Sequence, residues 1–266
     1  MKILGLLLTF LITSSCAPFR DSPFSDQLIR KDRELNSANH HKLNALNTGT
    51  KIKIAIFADS HQNYKDLDRV VFRINQSDVD FVVGLGDFTN SGYNLEYDQF
   101  LDSYVRINKP TFTVLGNHDA IGAGPSLFRK VFGPVNYYFE WNSYRFILFH
   151  SANWENPEEF NSSWLKQTVD ESNFPIIIFT HASLRDPERY FEKDAINFDE
   201  VIKNAKVKMV INGHNHVYWL GNDNNTTLLQ SPRVEQTQWL QLEIENNQAL
   251  IKQMATGEAT SISLKN

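Results

Sequence analysis

Five apolar stretches of this sequence, each of strand length, end in a cluster of Asp, Asn or His. The stretches are residues 51–58, 80–85, 110–115, 175–180 and 207–212. The clusters that follow them are Asp59-Ser60-His61, Gly86-Asp87, Gly116-Asn117-His118-Asp119, His181 and His214-Asn215-His216. Because ligands of open α/β sheets bind outside the carboxyl ends of the strands, we expect these clusters to meet at one edge of a folded sheet.

Taken one at a time, most of these clusters have an ordinary structural explanation. The first two are typical of turns, the third of a helix amino terminus, and His181 of a hydrogen-bonded core histidine. His214 and His216 are more specific, because alternate residues of a strand place both imidazoles on one face. Five of the eight histidines lie at strand ends, which unrelated structural causes do not explain. Imidazole and oxygen ligands without thiolate favour metals such as Mn, Fe or Zn.

The composition is typical of a soluble globular protein. The 266 residues are 41% hydrophobic and 21% charged, as in a globular chain with one large α/β domain or two small ones. The net charge of −5 gives no electrostatic footprint for nucleic acid, so no nucleic-acid partner is expected. An acidic protein that handles phosphate needs local positive charge, which bound metal ions would supply.

The amino terminus resembles a bacterial lipoprotein signal. Lys2 precedes an apolar run from Ile3 to Ile12, which is too short to span a bilayer but suits a signal peptide. Three small residues then lead to Cys16, the only cysteine of the chain. We therefore expect residues 1–15 to be removed and Cys16 to carry lipid, giving an extracytoplasmic protein anchored to the membrane of a bacterial envelope. Thr13 departs from the Leu-like residue usual at its position, and secretion without lipid, to the periplasm or beyond, is the alternative.

Residues 16–50 are polar and are expected to form the lipidated cysteine and a flexible tether, with one short helix near residues 26–35. His40 and His41 in this segment are more typical of a solvated linker than of a metal site. The folded domain is expected to cover residues 51–266. Its other predicted elements are helices at 66–75, 95–107, 163–171 and 198–206, a hairpin at 137–141 and 145–150, and antiparallel strands at 227–229, 238–244 and 249–254.

The ordered set D-x-H, G-D, G-N-H-D, a lone H and G-H-x-H resembles that of the calcineurin-like metallophosphoesterase superfamily. Every element is present in family order, and the resemblance covers roughly residues 51–220. It extends to Phe132-Gly133-Pro134, to the hairpin and to Trp164-Leu165. The resemblance implies an α/β fold with a two-sheet β-sandwich flanked by helices, in α/β/β/α layers.

The resemblance also implies a site with two divalent or trivalent metal ions (Mn, Fe, Zn or similar). A metal-bridging hydroxide would hydrolyse a phosphate mono- or diester there. Asp87 would bridge the ions, since one carboxylate presents two anionic oxygens. His118 would act as a catalytic residue that binds no metal, with Asp119 orienting it. The implied ligands of the first ion are Asp59, His61, Asp87 and His216, and those of the second are Asp87, Asn117, His181 and His214.

The substrate is less well defined by the sequence than the reaction. A small phosphate ester or a nucleotide-like molecule is expected. Purple acid phosphatases carry a tyrosine after the G-D motif, so Phe88 disfavours that subgroup. Residues 86–92 are more similar to class III cyclic-nucleotide phosphodiesterases, although an extracytoplasmic location argues against intracellular cyclic AMP. Four further residues are candidates for lining the pocket or stacking on a base, with packing in the fold as the commoner role: His150, Trp154, Tyr190 and Trp219.

Two other functions are compatible with parts of this pattern. The fold could serve as a non-catalytic, metal-stabilised binding module, but such relatives usually lack one or more metal ligands, and this chain retains the whole set. A secreted Zn-dependent amide hydrolase would share the His and Asp chemistry, but relatives with this ordered set act on phosphate esters. Metal content, and hydrolysis of an aryl phosphate compared with an amide, would separate the three.

Overall fold

The computed structural model describes residues 22, 25–46, 49–187 and 189–264. The predicted signal at 1–15 and Cys16 lie outside the described residues. The strands are β1 (Ile52–Phe57), β2 (Phe81–Gly84), β3 (Thr111–Thr113), β4 (Tyr137–Trp141), β5 (Tyr144–Phe149), β6 (Ile176–Thr180), β7 (Val207–Asn212), β8 (Trp219–Asp223), β9 (Thr226–Gln230), β10 (Leu240–Glu245), β11 (Gln248–Gln253) and β12 (Ala259–Ser263). The helices are α1 (Leu35–Asn44), α2 (Tyr64–Gln76), α3 (Asn94–Tyr104), α4 (Gly124–Phe132), α5 (Ser162–Asp170) and α6 (Glu192–Lys203), with a 3₁₀ turn at Glu235–Thr237.

The strands form two mixed six-stranded sheets. The first has the order β12-β11-β10-β1-β2-β3, and the second has the order β4-β5-β6-β7-β9-β8. In the first sheet β1, β2 and β3 are parallel, and in the second β5, β6, β7 and β9 are parallel. The parallel strands of each sheet therefore direct their carboxyl ends to one edge.

Alternate residues of β1 show how the layers are built. Ile52, Ile54 and Ile56 face the core between the two sheets, whereas Ala55 and Phe57 face the helices. Helices α2, α3 and α4 cover the outer face of the first sheet, and α5 and α6 cover that of the second. The predicted α/β/β/α sandwich is confirmed.

The segment before the domain differs from the expected tether. Its helix is α1 at Leu35–Asn44 rather than near residues 26–35, and it packs on the sandwich. Leu43 is part of the core between the sheets. Asn39 donates to the Thr111 carbonyl at 2.7 Å, and Asn36 accepts from the Thr113 amide. Helix α1 thus covers the exposed edge of β3, the last strand of the first sheet.

Several other elements differ from the prediction. Helix α4 was not predicted, and α6 begins at Glu192, six residues before the predicted start. Strand β9 was expected to be antiparallel, but it pairs in parallel with β7 and antiparallel only with β8. Within the described residues, no helix has the length and apolarity needed to cross a bilayer.

Candidate metal centre

All nine predicted site residues follow the carboxyl ends of β1, β2, β3, β6 and β7. Backbone groups hold the two sheets together at this edge. The His214 amide, after β7, donates to both carboxylate oxygens of Asp59, after β1, at 3.1 Å. The Val234 amide, after β9, donates to the Ala58 carbonyl at the end of β1 at 3.0 Å. The edge predicted from the sequence is therefore a real junction between the sheets.

Several predicted ligands at this edge have strained backbone conformations with positive φ angles. Positive φ angles are uncommon outside glycine and cluster at functional sites. Asp59, His61 and Asp87 have φ of 51°, 45° and 52°, and His214 and His216 have φ of 72° and 65°. Five of the seven predicted ligands thus adopt a left-handed conformation that aims their side chains inward.

Two glycines make room for the buried carboxylates. A Cβ on Gly116 would lie 2.2 Å from both the amide and Oδ1 of Asp87. A Cβ on Gly213 would lie 2.7 Å from Oδ2 of Asp59. These glycines of the G-N-H-D and G-H-x-H motifs are needed for close approach of the loops.

One group of potential ligands consists of Asp59, His61 and His216. Their ligand atoms lie within 4.8 Å of one another. The Nε2 atoms of His61 and His216 are 3.4 Å apart, so the two imidazoles point at a common centre. Asp59 is buried, and burial, with the charge of Asp87 adding to it, raises the pKa of Asp59 to about 7.

The second group consists of Asp87, His181 and His214, whose ligand atoms also lie within 4.8 Å of one another. His181 Nε2 is 3.2 Å from Asp87 Oδ2 and 3.1 Å from His214 Nδ1. Asn117 joins this group, with its Oδ1 atom 2.9 Å from His181 Nε2. The structure thus brings all four predicted ligands of the second ion together. That Asp87 also binds the first ion stays a prediction.

Main-chain carbonyls fix how two of these imidazoles present their nitrogens. His61 Nδ1 lies 3.2 Å from the Thr89 carbonyl, and His181 Nδ1 lies 2.8 Å from the Leu85 carbonyl. A carbonyl only accepts, so Nδ1 carries a proton in both rings and Nε2 is the nitrogen that can bind a metal ion. Metal-binding histidines are oriented in this way by outer partners. The donor set and its orientation therefore fit metal ions.

The electrostatics of the second group favour a cation. Although burial lowers it, the adjacent Asp87 carboxylate raises the pKa of His181 to about 9. Burial likewise opposes ionisation of Asp87, but the charge and hydrogen bond of His181 hold the pKa of Asp87 below its ordinary value. Positive charge is thus stabilised beside Asp87, whether it comes from a proton or from a metal ion.

His118 lies beside the first group. Its ring centroid is 4.9 Å from that of His61. Its Nδ1 atom is 2.7 Å from the Asn90 carbonyl, and its own amide donates to Asp87 Oδ1 at 2.9 Å. The ring belongs to neither group of potential ligands.

Asp119 does not orient His118 as predicted. Its carboxylate accepts from the amides of Asp87 and Gly116 at 2.7 and 3.0 Å, and from the amide and hydroxyl of Thr89 at 2.8 and 2.9 Å. Three of these hydrogen bonds come from the loop after β2 and one from the loop of Asp119 itself, and together they occupy both oxygens. The buried carboxylate therefore holds the two loops together. Burial, together with the charge of Asp87, raises the pKa of Asp119 to about 7. The orienting partner of His118 is the Asn90 carbonyl instead.

The four further candidates divide by exposure. His150 is fully buried, with Nε2 3.1 Å from the Asn156 carbonyl, and Tyr190 stacks on Phe160. Trp154 and Trp219 are 61% and 50% exposed. Phe88 is buried and stacks on Phe100, with the ring centroids 4.1 Å apart. His40 and His41 lie on α1, with the His40 ring against Phe139.

Sequence reasoning missed Arg233 and Glu96. The Arg233 amide donates to the His216 carbonyl at 3.4 Å, and the described residues offer no hydrogen-bond partner to the buried Nε atom of Arg233. Burial, followed by the charge of Arg233, lowers the pKa of His216. Buried Glu96 accepts from the amides of Asn90, Ser91 and Tyr93, which shapes the loop that orients His118. Neither residue belongs to a motif, so only the three-dimensional arrangement identifies it.

Comparison with known families gives one match. A family model described as calcineurin-like phosphoesterase matches residues 52–218, more than half of the chain. The comparison with curated proteins found no match.

Three solved structures illustrate the shared fold. A dimetal phosphatase from Danio rerio has a TM-score of 0.66 at 14% identity, over 80% of this chain and 99% of that one. A purple acid phosphatase from yellow lupin has a TM-score of 0.64 at 13% identity, over 81% of this chain and 54% of that one, so this chain spans about half of its length. GAP50, described as the anchor in the inner membrane complex of Plasmodium, has a TM-score of 0.60 at 16% identity, over 82% and 90% of the two chains. Likeness at these identities concerns the fold alone.

Proposed function

The chain belongs to the calcineurin-like phosphoesterase family, and we propose that it hydrolyses a phosphate mono- or diester at a dinuclear metal centre. The single observation that supports this most is the convergence of two groups of ligand atoms at the shared edge of the sheets. Both groups combine carboxylate oxygen with imidazole nitrogen. Such sets suit Mn, Fe or Zn.

We assign the residues of the site to the two metal ions as follows. Asp59, His61 and His216 would hold one ion, and Asn117, His181 and His214 the other, with Asp87 between them. Two bound ions supply Lewis-acid charge and a water of lowered pKa, the chemistry that the predicted bridging hydroxide needs. The buried carboxylates and main-chain carbonyls would keep the ligands in place and exclude alternative tautomers.

His118 would act on the substrate rather than on a metal. Its Nδ1–H is held by the Asn90 carbonyl, so Nε2 is the atom available to exchange a proton. A proton on Nε2 would stabilise charge on a phosphate oxygen or pass to the leaving oxygen. The atom that orients this ring is a main-chain oxygen, which does not titrate.

Arg233 would add a positive charge for the anionic substrate. Its side chain is 31% exposed, and its contact with Glu235 at 3.5 Å is not a hydrogen bond. Arg189, by comparison, is 9% exposed and pairs with Glu155 at 2.7 Å. Arg233 therefore retains donors for a phosphate oxygen on the side of the first ion.

The signal-like amino terminus supports an extracytoplasmic, lipid-anchored enzyme. The substrate would then be a phosphate ester met outside the cytoplasm. Intact mass of the chain purified from bacterial membranes tests this directly: a diacylglyceryl mass on Cys16 is expected, and a chain cleaved elsewhere without lipid would replace anchoring with secretion.

The activity is tested with a panel of soluble phosphomonoesters and phosphodiesters in the presence of Mn, Fe, Zn or Ni. Turnover that requires metal is expected, and an amide panel should show none. Asp87→Ala is the matched negative control, because it removes the only carboxylate of the second group. If metal binds but no ester is hydrolysed, the non-catalytic binding module replaces this proposal.

A further inference from the structure

The amino-terminal segment reaches the domain at the same edge as the metal centre. The Asn94 side chain donates to the Gln27 carbonyl at 2.8 Å, and the Ser126 hydroxyl donates to the Asp26 carboxylate at 3.2 Å. Asn94 and Ser126 lie in the first turns of α3 and α4. These helices follow β2 and β3, so their first turns lie at the carboxyl ends of the strands.

Little chain separates this edge from the proposed lipid. Ser25 is nine residues after Cys16. A fully extended chain spans at most about 3.3–3.6 Å per residue, so Ser25 lies within roughly 30 Å of the lipidated residue. That reach is similar to the thickness of the hydrocarbon core, about 30 Å. A lipid on Cys16 would therefore keep the metal edge close to the bilayer.

The same edge carries most of the large apolar side chains that the described residues leave exposed. Thirteen such side chains are exposed, and seven of them lie in the loops after β2, β3, β5, β6 and β7 or in the first turn or first residue of the element that comes next. Single exposed apolar residues are normal, but a concentration of them on one face marks an interaction surface. We call these seven the apolar rim: Tyr93, Leu95, Ile121, Trp154, Phe191, Val217 and Trp219.

The strand pairing places members of the rim at this edge. Trp219 pairs with Gln230, which pairs with Asn212, the last residue of β7. A Cβ on Gly92 would lie 2.4 Å from the Ile121 carbonyl, so the loops that carry Tyr93 and Ile121 touch. The rim therefore lies beside the two ligand groups rather than on a remote face.

The chemistry of the rim suits a membrane surface. Tryptophan and tyrosine are enriched where proteins meet the lipid headgroups, and apolar side chains beside them enter the acyl boundary. The net charge of −5 gives no general attraction to anionic lipid, so apolar insertion is the interaction available. A lipid anchor together with an apolar surface supplies the two signals that stable attachment requires.

We propose that the apolar rim faces the bilayer, and that the substrate is a phosphate ester of a membrane amphiphile presented at the bilayer surface. This inference depends on the proposed phosphoesterase activity and on the proposed lipid at Cys16. In this orientation the metal centre opens towards the headgroup layer. An ester held there needs no release into water to reach the site.

The orientation is tested on the full lipidated chain in phosphatidylcholine vesicles with and without dibrominated acyl chains. Bromine quenches tryptophans that enter the bilayer, and the lipid anchor recruits every variant equally. We expect quenching that falls when Trp154 or Trp219 is replaced by Phe. The other three tryptophans, buried Trp141 and Trp239 and half-buried Trp164, provide the background. Tryptophan emission unaffected by brominated lipid would overturn the orientation.

A matched pair of variants separates the rim from general hydrophobicity. Phe191 and Phe72 are 69% and 66% exposed, but only Phe191 belongs to the rim. Leu95→Gln with Phe191→Gln should reduce the quenching at least about twofold, whereas Val105→Gln with Phe72→Gln should leave it at the level of the unmodified chain. Equal loss in both double variants would contradict a specific membrane-facing edge.

The substrate class is tested with chemically matched esters. The ester type that is hydrolysed in the soluble panel is prepared once with an ethyl and once with a hexadecyl group, the latter embedded in vesicles. We expect a kcat/KM at least about tenfold higher for the hexadecyl ester, equivalent to 1.4 kcal/mol, and a loss of that ratio in the Leu95 and Phe191 double variant. Equal rates on both esters would overturn the substrate class. Absence of turnover on every ester would instead contradict the proposed function, and the quenching result would still decide the orientation.

Discussion

The Nδ1 atom of His118 lies 2.7 Å from the backbone carbonyl oxygen of Asn90. An imidazole next to the candidate metal centre is thus oriented by the main chain rather than by the carboxylate that follows it in sequence. Glu96 holds this loop through three amides, so the orientation of His118 derives from the start of α3. His118 and Asp119 therefore have separate roles, although their adjacency in the motif suggested that Asp119 orients His118.

Replacement of His118 by Asn should lower kcat by about 10²–10⁴ while metal content is retained, because the ring exchanges a proton but belongs to neither ligand group. Steady-state rates and metal analysis of the same preparation provide the measurement. His41→Asn, at an exposed position of α1, is the matched control and should behave as the unmodified chain. Loss of metal from the His118 variant would show that this residue is a ligand.

Replacement of Asp119 by Asn should reduce the free energy of unfolding by about 1–3 kcal/mol, since an amide NH₂ would face buried donors that now meet a carboxylate oxygen. Urea unfolding at neutral pH measures the change. The His118→Asn variant, in which no buried partner is lost, should stay within about 0.5 kcal/mol of the unmodified chain. An Asp119 variant of normal stability whose rate falls as in the His118 variant would restore the orienting role.

Replacement of Arg233 by Gln should raise KM about tenfold, equivalent to 1.4 kcal/mol, with a smaller effect on kcat, because the guanidinium would bind the anionic substrate. Added guanidinium chloride at millimolar concentration should restore part of the lost kcat/KM in an Arg233→Ala variant. Arg69→Gln, on the outer face of α2, is the control. An unchanged KM, with no rescue, would exclude Arg233 from substrate binding.

His150 should make stability depend on pH. Burial lowers the pKa of His150 to about 4, whereas an unfolded histidine titrates near 6.5. Between these values the unfolded chain binds more protons than the folded one, so the contribution of His150 to stability falls as the pH drops from 6.5 towards 4. The loss would reach up to about 3 kcal/mol at the lower end.

The His150→Gln variant, in which an uncharged amide can donate to the Asn156 carbonyl, provides the comparison. The difference in unfolding free energy between the two chains should change with pH only between about 4 and 6.5. Parallel stability curves over that range would contradict a neutral buried His150.

The sheets, and the convergence of the potential ligands at one edge, were predictable because their signals are local. An apolar stretch that ends in a polar cluster predicts both the strand and the place of the polar side chain at its end, as in β7 and His214. Helix α1 was misplaced because its buried face uses Asn36 and Asn39, whose hydrogen bonds are made to a distant strand. Helix α4 was missed because it begins with Gly124-Pro125, residues that read as a turn although proline suits a first helical position.

The role of Asp119 could not be predicted from the sequence. Adjacency in the G-N-H-D motif suggested contact with His118, but the chain turns between them and Asp119 enters the interior. Arg233 reaches the site from the loop after β9 without any motif. The role of Asp119 and the position of Arg233 both depend on contacts between segments far apart in sequence, and no local sequence pattern indicates such contacts.

A dinuclear centre should be visible by anomalous diffraction from crystals of the chain loaded with Mn²⁺. We expect two peaks about 3.5–4 Å apart, one bounded by Asp59, His61 and His216, the other by Asn117, His181 and His214, with Asp87 between them. A single peak, or peaks that lie outside these two groups, would contradict it.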